Sequence, residues 1–303
     1  MTDTIEFLRI VDLLSAQPLT VYSSLEGYNG DIRVLEKNCL VLKERGQGEY
    51  DYGDIFLSVA EVFDRLLRNI YKNNEILEKK YEAKLRLDIL KQAGYSLDSE
   101  ALIRDGINGS VAETALLPAA CIPCYAELQG ANLNSNLTCI TTRNNVYRRE
   151  KEYSLFRLKN FQMRELVFIG GKDEVKSALD DCKNSIEALS RDLDFSFVMA
   201  SSFDSFIGSH SDIIKSYQVL FKTKIELQAF VPGLIDLVPI CSINFHGTHF
   251  SKDFKIKAQG EIAYSGCVGF GIERWVMLFF SRYGLDRKFW PEKIASLYEK
   301  PSA

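Results

Sequence analysis

The segment Cys267-Val-Gly-Phe-Gly-Ile-Glu-Arg274 holds the residue types in this chain that are most able to do chemistry. Two glycines let the start of a helix pack closely under a ligand, and the arginine that follows can reach a phosphate or stack on a base. The pattern is short, and a strand-to-helix turn with a surface arginine would look the same. By itself it indicates a nucleotide site only weakly.

A second candidate is the segment Tyr147-Arg148-Arg149-Glu150, which precedes Phe161. On a strand, Arg148 and Glu150 would share one face and could hold a phosphate and an exocyclic amine together. The alternative is an exposed ion pair on a sheet surface, which contributes little to stability. Phe161 offers a flat face for an adenine, and a place in the hydrophobic core is the alternative for it.

Taken together, these segments resemble motifs two and three of the class II aminoacyl-tRNA synthetases. Further segments follow in order, from Ala200-Ser-Ser-Phe-Asp-Ser-Phe206 to Trp290-Pro291, and they make the chain similar to the amino acid:[carrier protein] ligases. Those enzymes are shortened relatives of an atypical zinc-dependent seryl-tRNA synthetase. The resemblance spans residues 95–295, is specific from residue 200 onward, and implies a homodimer.

The resemblance implies how ATP would be bound. Arg148 would contact the α-phosphate, and Arg274 would lie against the adenine beside the γ-phosphate. Glu150 would meet the adenine edge, and Phe161 would stack on the ring. Related synthetases also carry an acidic ligand for Mg²⁺, which this chain does not show clearly; Asp236 and Glu226 are the candidates.

The resemblance also implies a catalytic zinc ion held by a cysteine, a glutamate and a second cysteine, which here are Cys121, Glu165 and Cys267. Three protein ligands leave one coordination position open, as expected of catalytic zinc. An isolated cysteine is more often a small buried hydrophobic residue, and Cys121 with Cys124 forms a rival CxxC metal or redox site.

The substrate amino acid would lie near the zinc, among four residues that the resemblance assigns to its pocket: Glu226, Ser242, Asn244 and His246. His249 follows His246 by three positions, so on a strand the two would face opposite sides, which argues against joint metal ligation. Zinc can bind a free α-amino group and so orient the substrate carboxylate toward the α-phosphate.

These roles predict an enzyme that activates glycine or alanine with ATP and then transfers it to the phosphopantetheine thiol of a carrier protein. Zn²⁺ and Mg²⁺ would be its metals. The main alternative is a tRNA-charging enzyme. The other is a catalytically silent synthetase paralogue that serves as a binding module.

Composition narrows these alternatives. The 303 residues carry a net charge of −4 without a basic stripe, so tRNA is a poor candidate partner. No recognisable tRNA-binding domain is expected.

Seven cysteines at irregular spacing do not form a secreted disulfide framework, and no apolar run predicts a signal peptide or membrane span. A cytoplasmic protein without membrane contact is expected.

The order of predicted strands and helices favours an α+β fold: a class II synthetase-like antiparallel sheet flanked by helices. We expect this fold to form one catalytic domain over residues 1–303. Apolar spacing predicts a helix at Val59–Ile70 that continues through 71–86, and the segment 55–90 is a possible docking site for a partner. A second helix is expected at 173–193 and a buried one up to Tyr283. Strands are expected at 164–171, 224–231, 240–246 and 254–258.

Overall fold

The computed structural model describes the chain at residues 18–24, 32–38, 41–72, 75–97, 102–105, 113–202, 223–231, 234 and 237–299. Cys39, Asp236 and residues 203–206 of the segment that begins at Ala200 lie outside these ranges.

One eight-stranded sheet dominates the described part of the chain. All its neighbouring strands pair antiparallel except the last two in spatial order, which run parallel. In spatial order the strands are β1 (Thr20–Tyr22), β11 (Phe197–Ser201), β12 (Lys224–Phe230), β13 (Leu237–Gly247), β16 (Tyr264–Gly271), β10 (Asn160–Gly170), β9 (Leu137–Tyr147) and β4 (Ile76–Lys79).

Smaller ladders lie beside this sheet. They are formed by β2 (Leu42–Gly46) with β3 (Glu49–Tyr52), by β5 (Lys84–Arg86), β6 (Arg104–Asp105) and β7 (Thr114–Leu116), and by β8 (Asn132–Leu133), β14 (Lys257–Ala258) and β15 (Glu261–Ile262).

Eight α-helices fall within the described residues, and none of them combines the length and the apolar character of a membrane span. They are α1 (Ile32–Lys37), α2 (Asp54–Arg68), α3 (Leu87–Gln92), α4 (Ile122–Glu127), α5 (Lys172–Asp192), α6 (His249–Asp253), α7 (Ile272–Tyr283) and α8 (Glu292–Glu299), with a 3₁₀ turn at Arg287–Phe289.

The two faces of the sheet pack against different cores. Alternate side chains of a strand point to opposite faces, so Phe168 and Phe270 lie on one side while Val167 and Cys267 lie on the other. The first face is covered by α2, α5 and α7 and forms the larger core. The second face packs against α3, α4 and α6 in a smaller core that includes Tyr125. The predicted α+β architecture is confirmed.

Several predicted boundaries need correction. The helix expected to continue through 71–86 ends at Arg68, and two short strands, β4 and β5, occupy the charged stretch. Its Glu, Lys and Leu residues favour helix, but β4 gains backbone hydrogen bonds by pairing with β9. Where a strand is expected at 254–258, the chain forms a turn after α6 ends at Asp253, and only Lys257 and Ala258 form a strand, β14.

Arg148 and Glu150 are also placed differently from the prediction. Strand β9 ends at Tyr147, so both residues lie in the following loop rather than on one face of a strand. The Arg148 N–H donates to the Lys159 carbonyl at 2.9 Å, which closes the loop back on the chain before β10. The two side chains are therefore positioned by loop geometry.

Candidate metal and nucleotide site

Three segments that are distant in sequence bring Cys121, Glu165 and Cys267 together. Cys121 caps the start of α4, Glu165 lies on β10, and Cys267 lies on the neighbouring β16. The β10–β16 register pairs Glu165 with Gly269 and Val167 with Cys267, so both ligands point to the same face. One ligand atom from each of the three residues lies within 4.8 Å of the others, and all three residues are buried.

The charges in this group are tightly shared. A hydrogen bond from the Cys121 thiol to Cys267 lowers the pKa of Cys267 well below its usual range, and it raises the pKa of Cys121 in the opposite direction. Burial, and then the neighbouring Cys267 charge, raise the pKa of Glu165 well above its usual range. The pKa of each thiol therefore depends on the other, and burial makes the carboxyl group beside them costly to ionise.

These residues fit a divalent soft-metal ion. The Ala120 N–H donates to Glu165 Oε1 at 3.1 Å, whereas Glu165 Oε2 is buried and has no hydrogen-bond partner among the described residues. A buried oxygen without a partner is costly unless something binds it. Two sulfurs and one carboxylate oxygen form a donor set that zinc accepts, and three ligands leave a coordination position open.

Three of the residues predicted for the amino-acid pocket, Ser242, Asn244 and His246, lie beside this group. Ser242 pairs with Gly269 across β13 and β16, and Asn244 pairs with Cys267 on the next rung of the same face. The Asn244 amide donates to Ser242 Oγ at 3.3 Å and to Cys267 Sγ at 3.6 Å. Polar side chains therefore line the sheet face next to Cys267.

Glu226 lies one strand further away, opposite Ser242 on β12. Its carboxylate forms an ion pair with Lys224 at 3.1 Å and accepts a hydrogen bond from Ser202 Oγ at 2.9 Å. Both carboxylate oxygens are thus engaged by protein groups. This arrangement fits a fixed polar wall of the pocket better than the magnesium ligand that the sequence left open.

The predicted nucleotide residues meet at the other end of the same face. The Arg148 guanidinium carbon lies 5.3 Å from the centre of the Phe161 ring. Arg274 donates from Nε to the Phe156 carbonyl at 2.8 Å and also to the Pro239 carbonyl. Burial, and then the positive charge of Arg148, lower the pKa of Arg274 to about 10, so it stays charged at neutral pH. Two mutually repelling guanidinium groups favour an anion between them.

A cavity of about 10 Å³ lies between Phe161 and Arg274 and is also lined by Leu158, Gly271 and Glu273. This volume holds about one water molecule. In the structure described here, the Arg148 side chain covers the ring of Phe161. Arg148 therefore occupies space over the ring on which an adenine is expected to stack.

Sequence reasoning did not single out two residues that the structure places in supporting positions. Both Glu273 oxygens accept from the Gln162 N–H, at 2.9 and 3.0 Å, on the side where β16 has ended and offers Gln162 no partner. Burial raises the pKa of Glu273 to about 7. The only sequence signal was its place beside Arg274. Tyr125, which contacts His246, had no comparable signal.

Comparison with known proteins agrees with this geometry. Residues 108–283, more than half of the chain, match the family model described as the tRNA synthetase class II core domain (G, H, P, S and T). Amino acid–[acyl-carrier-protein] ligase 1 of Bradyrhizobium diazoefficiens is 32% identical over 191 residues, which cover 62% of this chain and 58% of that protein. The type-2 serine–tRNA ligase of Methanococcus aeolicus is 27% identical over 243 residues, which cover 77% and 42%.

Solved structures show the same fold. The chain superimposes with a TM-score of 0.78 and 18% identity on a structure of M. kandleri SerRS in complex with A. aeolicus tRNASec, covering 92% of this chain and 63% of that one. In each of these comparisons the chain spans less than two thirds of its relative's length. The resemblance inferred from the sequence is confirmed: the chain belongs to the class II tRNA synthetase core family.

Proposed function

We propose that this chain is an adenylate-forming ligase that activates glycine or alanine with ATP and passes it to the phosphopantetheine thiol of a carrier protein. The observation that carries the proposal is the convergence of Cys121, Glu165 and Cys267 within 4.8 Å, next to Ser242 and Asn244. The first relatives in sequence are named amino acid–[acyl-carrier-protein] ligases, which supports the choice of acceptor. The small substrate follows from the family resemblance.

The first half-reaction needs positioning and charge stabilisation from the chain. The substrate carboxylate oxygen attacks the α-phosphorus, a new O–P bond forms, and the bond to pyrophosphate breaks. Arg148 and Arg274 offset the negative charge that builds on the phosphate oxygens. Cys121, Glu165 and Cys267 would hold a zinc ion, which would supply a Lewis acid for the α-amino group of the substrate.

In the second half-reaction, the carrier thiol attacks the carbonyl carbon of the adenylate. A thioester forms, and AMP leaves with the bonding electrons. No side chain of this protein becomes covalently modified. Asn244 and Ser242, which line the sheet face beside Cys267, would hold the aminoacyl group during this exchange.

The test is amino-acid-dependent exchange of pyrophosphate into ATP, measured across the twenty amino acids. Glycine or alanine should support the fastest exchange, and a phosphopantetheinylated carrier protein should then accept the aminoacyl group. Cys267→Ala should lose both zinc and exchange, whereas the matched control Cys124→Ala should keep both. Exchange with no amino acid would rule out enzymatic activity and favour the silent paralogue.

Charging of tRNA is the second candidate, because type-2 serine–tRNA ligases match up to 77% of the chain. The same assay distinguishes the two when total tRNA and carrier protein are offered in parallel. Serine-dependent exchange followed by tRNA charging, without carrier loading, would overturn the favoured proposal. The net charge of −4 argues against tRNA as the acceptor.

A further inference from the structure

His246 occupies a bulge in β13. In the ladder between β13 and β16, Phe245 pairs with Gly266 and Gly247 pairs with Ser265, so His246 is an extra residue without a counterpart on β16. Bulges of this kind redirect a side chain and are frequent next to active sites. Here the redirected imidazole contacts two described side chains at once, one through each ring nitrogen.

The two contacts lie on opposite sides of the ring. His246 Nδ1 is 3.0 Å from the hydroxyl oxygen of Tyr125, and Nε2 is 3.7 Å from Cys267 Sγ. Tyr125 is fully buried, and its ring stacks on Phe250 with centroids 4.4 Å apart. Phe250 also meets the His246 ring edge-on at 4.8 Å. Both the imidazole and its hydroxyl partner are thus fixed by packing.

These contacts determine which nitrogen carries the proton of a neutral imidazole. A cysteine sulfur that binds a zinc ion is deprotonated and can only accept a hydrogen bond, so with Cys267 as a ligand Nε2 must carry the hydrogen that points toward it. Nδ1 is then the acceptor, and the Tyr125 hydroxyl donates to it. Two consecutive hydrogen bonds result, from the Tyr125 hydroxyl to His246 Nδ1 and from His246 Nε2 to Cys267 Sγ. One orientation of the imidazole gives both ring nitrogens a partner.

We propose that His246 is a positioning residue that donates its Nε2–H to the Cys267 thiolate and thereby stays off the metal. The substrate amine can then take the fourth coordination position; this part of the inference rests on the proposed function. This role replaces direct contact with the amino acid. A nitrogen that carries a hydrogen has no lone pair for a metal, so the tautomer keeps the site open.

The geometry opposes the alternative that His246 is itself a ligand. Among the described residues, the group of ligand atoms within 4.8 Å of one another contains Cys121, Glu165 and Cys267 but not His246. The only hydrogen-bond contact of His246 to this group is with Cys267, whose sulfur also has the Asn244 amide as a donor. Two N–H donors on one sulfur are typical of an outer shell that orients a metal thiolate.

The experiment measures metal binding without ATP or substrate. Zinc affinity is obtained by competition with a chromophoric chelator for the wild type, His246→Leu, His246→Gln and Tyr125→Phe, with His249→Ala as the exposed control. We expect zinc binding to weaken about 10- to 100-fold in His246→Leu, less in Tyr125→Phe, and to recover partly in His246→Gln, whose amide can donate. The control should bind as the wild type does, and thermal unfolding identifies any misfolded variant.

Cobalt substitution gives the second readout. The thiolate-to-metal charge-transfer band of Co²⁺ should shift in His246→Leu, because the sulfur loses a hydrogen bond, while the ligand-field bands keep their shape. Wild-type zinc affinity in His246→Leu, or ligand-field bands that show loss of a nitrogen ligand, would overturn the proposal. A wild type that binds no metal would overturn it too. Absent ATP exchange with these metal results intact would contradict only the proposed function.

Discussion

Arg164 and Glu165 are neighbours on β10, yet they face two regions with opposite electrostatic character. Arg164 is 2% exposed and points to the helix-covered face, where Asp64 of α2 accepts two hydrogen bonds from it at 2.7 Å each. Glu78 and Thr141 accept from its remaining nitrogen. Glu165 is 4% exposed on the other face, where one of its oxygens has no partner among the described residues.

The comparison separates a buried polar group whose nitrogens all have hydrogen-bond acceptors within the protein from one that has an oxygen without a partner among the described residues. Both side chains are buried, so burial alone does not identify a functional residue. The two side chains differ in how completely their hydrogen-bonding groups are paired. Each nitrogen of the arginine has an acceptor within the protein, whereas the carboxylate has one oxygen without a partner among the described residues and lies beside two thiols. The face with the incomplete hydrogen bonding is the one that carries the proposed chemistry.

The largest expected effect comes from removing Arg164, whose hydrogen bonds are complete. Arg164→Met leaves the Asp64 carboxylate buried without its bidentate partner, and we expect the free energy of unfolding to fall by about 3–5 kcal/mol. Urea unfolding of the variant and the wild type measures this. A double variant, Asp64→Leu with Arg164→Met, should recover much of the loss. A loss below about 1 kcal/mol in Arg164→Met would contradict the comparison.

The reciprocal change, Glu165→Gln, should affect ligand binding rather than folding. Zinc binding should weaken by more than about 100-fold, since a direct ligand matters more than an outer-shell residue. In the absence of zinc, the variant should be at least as stable as the wild type, because a neutral amide replaces a carboxyl group that burial makes costly to ionise. Chelator competition and urea unfolding of zinc-free protein test both halves, and a large loss of zinc-free stability would refute them.

Glu273 sharpens the comparison, since it is a buried carboxyl group that accepts from the backbone rather than from a cation. Its pKa rises from 4.5 to about 7 on folding, so the folded state binds more protons between these pH values. Glu273 therefore makes its full contribution to the free energy of unfolding below pH 4.5. As the pH rises to about 7, that contribution falls by about 3 kcal/mol. The difference in unfolding free energy between wild type and Glu273→Gln should follow this curve; a flat difference would argue against it.

The smallest effect is expected at an exposed pair. Lys79 Nζ lies 2.9 Å from Glu127 Oε1, but the two side chains are 42% and 38% exposed. Lys79→Ala should lower the unfolding free energy by less than about 1 kcal/mol, and added salt should shrink the difference further. Unfolding at two ionic strengths measures this. A loss comparable to that of Arg164→Met would remove the distinction between buried and exposed ion pairs.

Much of the candidate site was predictable from sequence, because its chemistry resides in residue types within recognisable segments. Cys121, Glu165 and Cys267 were assigned through the family resemblance, and the structure brings them together. Helix α5 was predicted by apolar spacing and lies at Lys172–Asp192. Both predictions depend on signals that are local or inherited as motifs.

The contacts that complete the site were not predictable in the same way. The pairing of Arg164 with Asp64 joins residues far apart in sequence, and no local pattern indicates it. The bulge at His246 depends on how β13 meets β16 rather than on the composition of either strand. The charged stretch after α2 has helix-favouring residues, yet pairing with β9 makes part of it a strand.

The three candidate ligands, on β10, β16 and the start of α4, also come from segments that are far apart in sequence. Two of the three ligands become neighbours only when β10 and β16 have paired, and the third arrives when the segment before α4 docks on the sheet. Such distant contacts form late, after their loop-closure entropy has been offset by other interactions. If the proposed zinc ion binds here, we expect it to hold the α4 segment onto the sheet rather than to nucleate the fold.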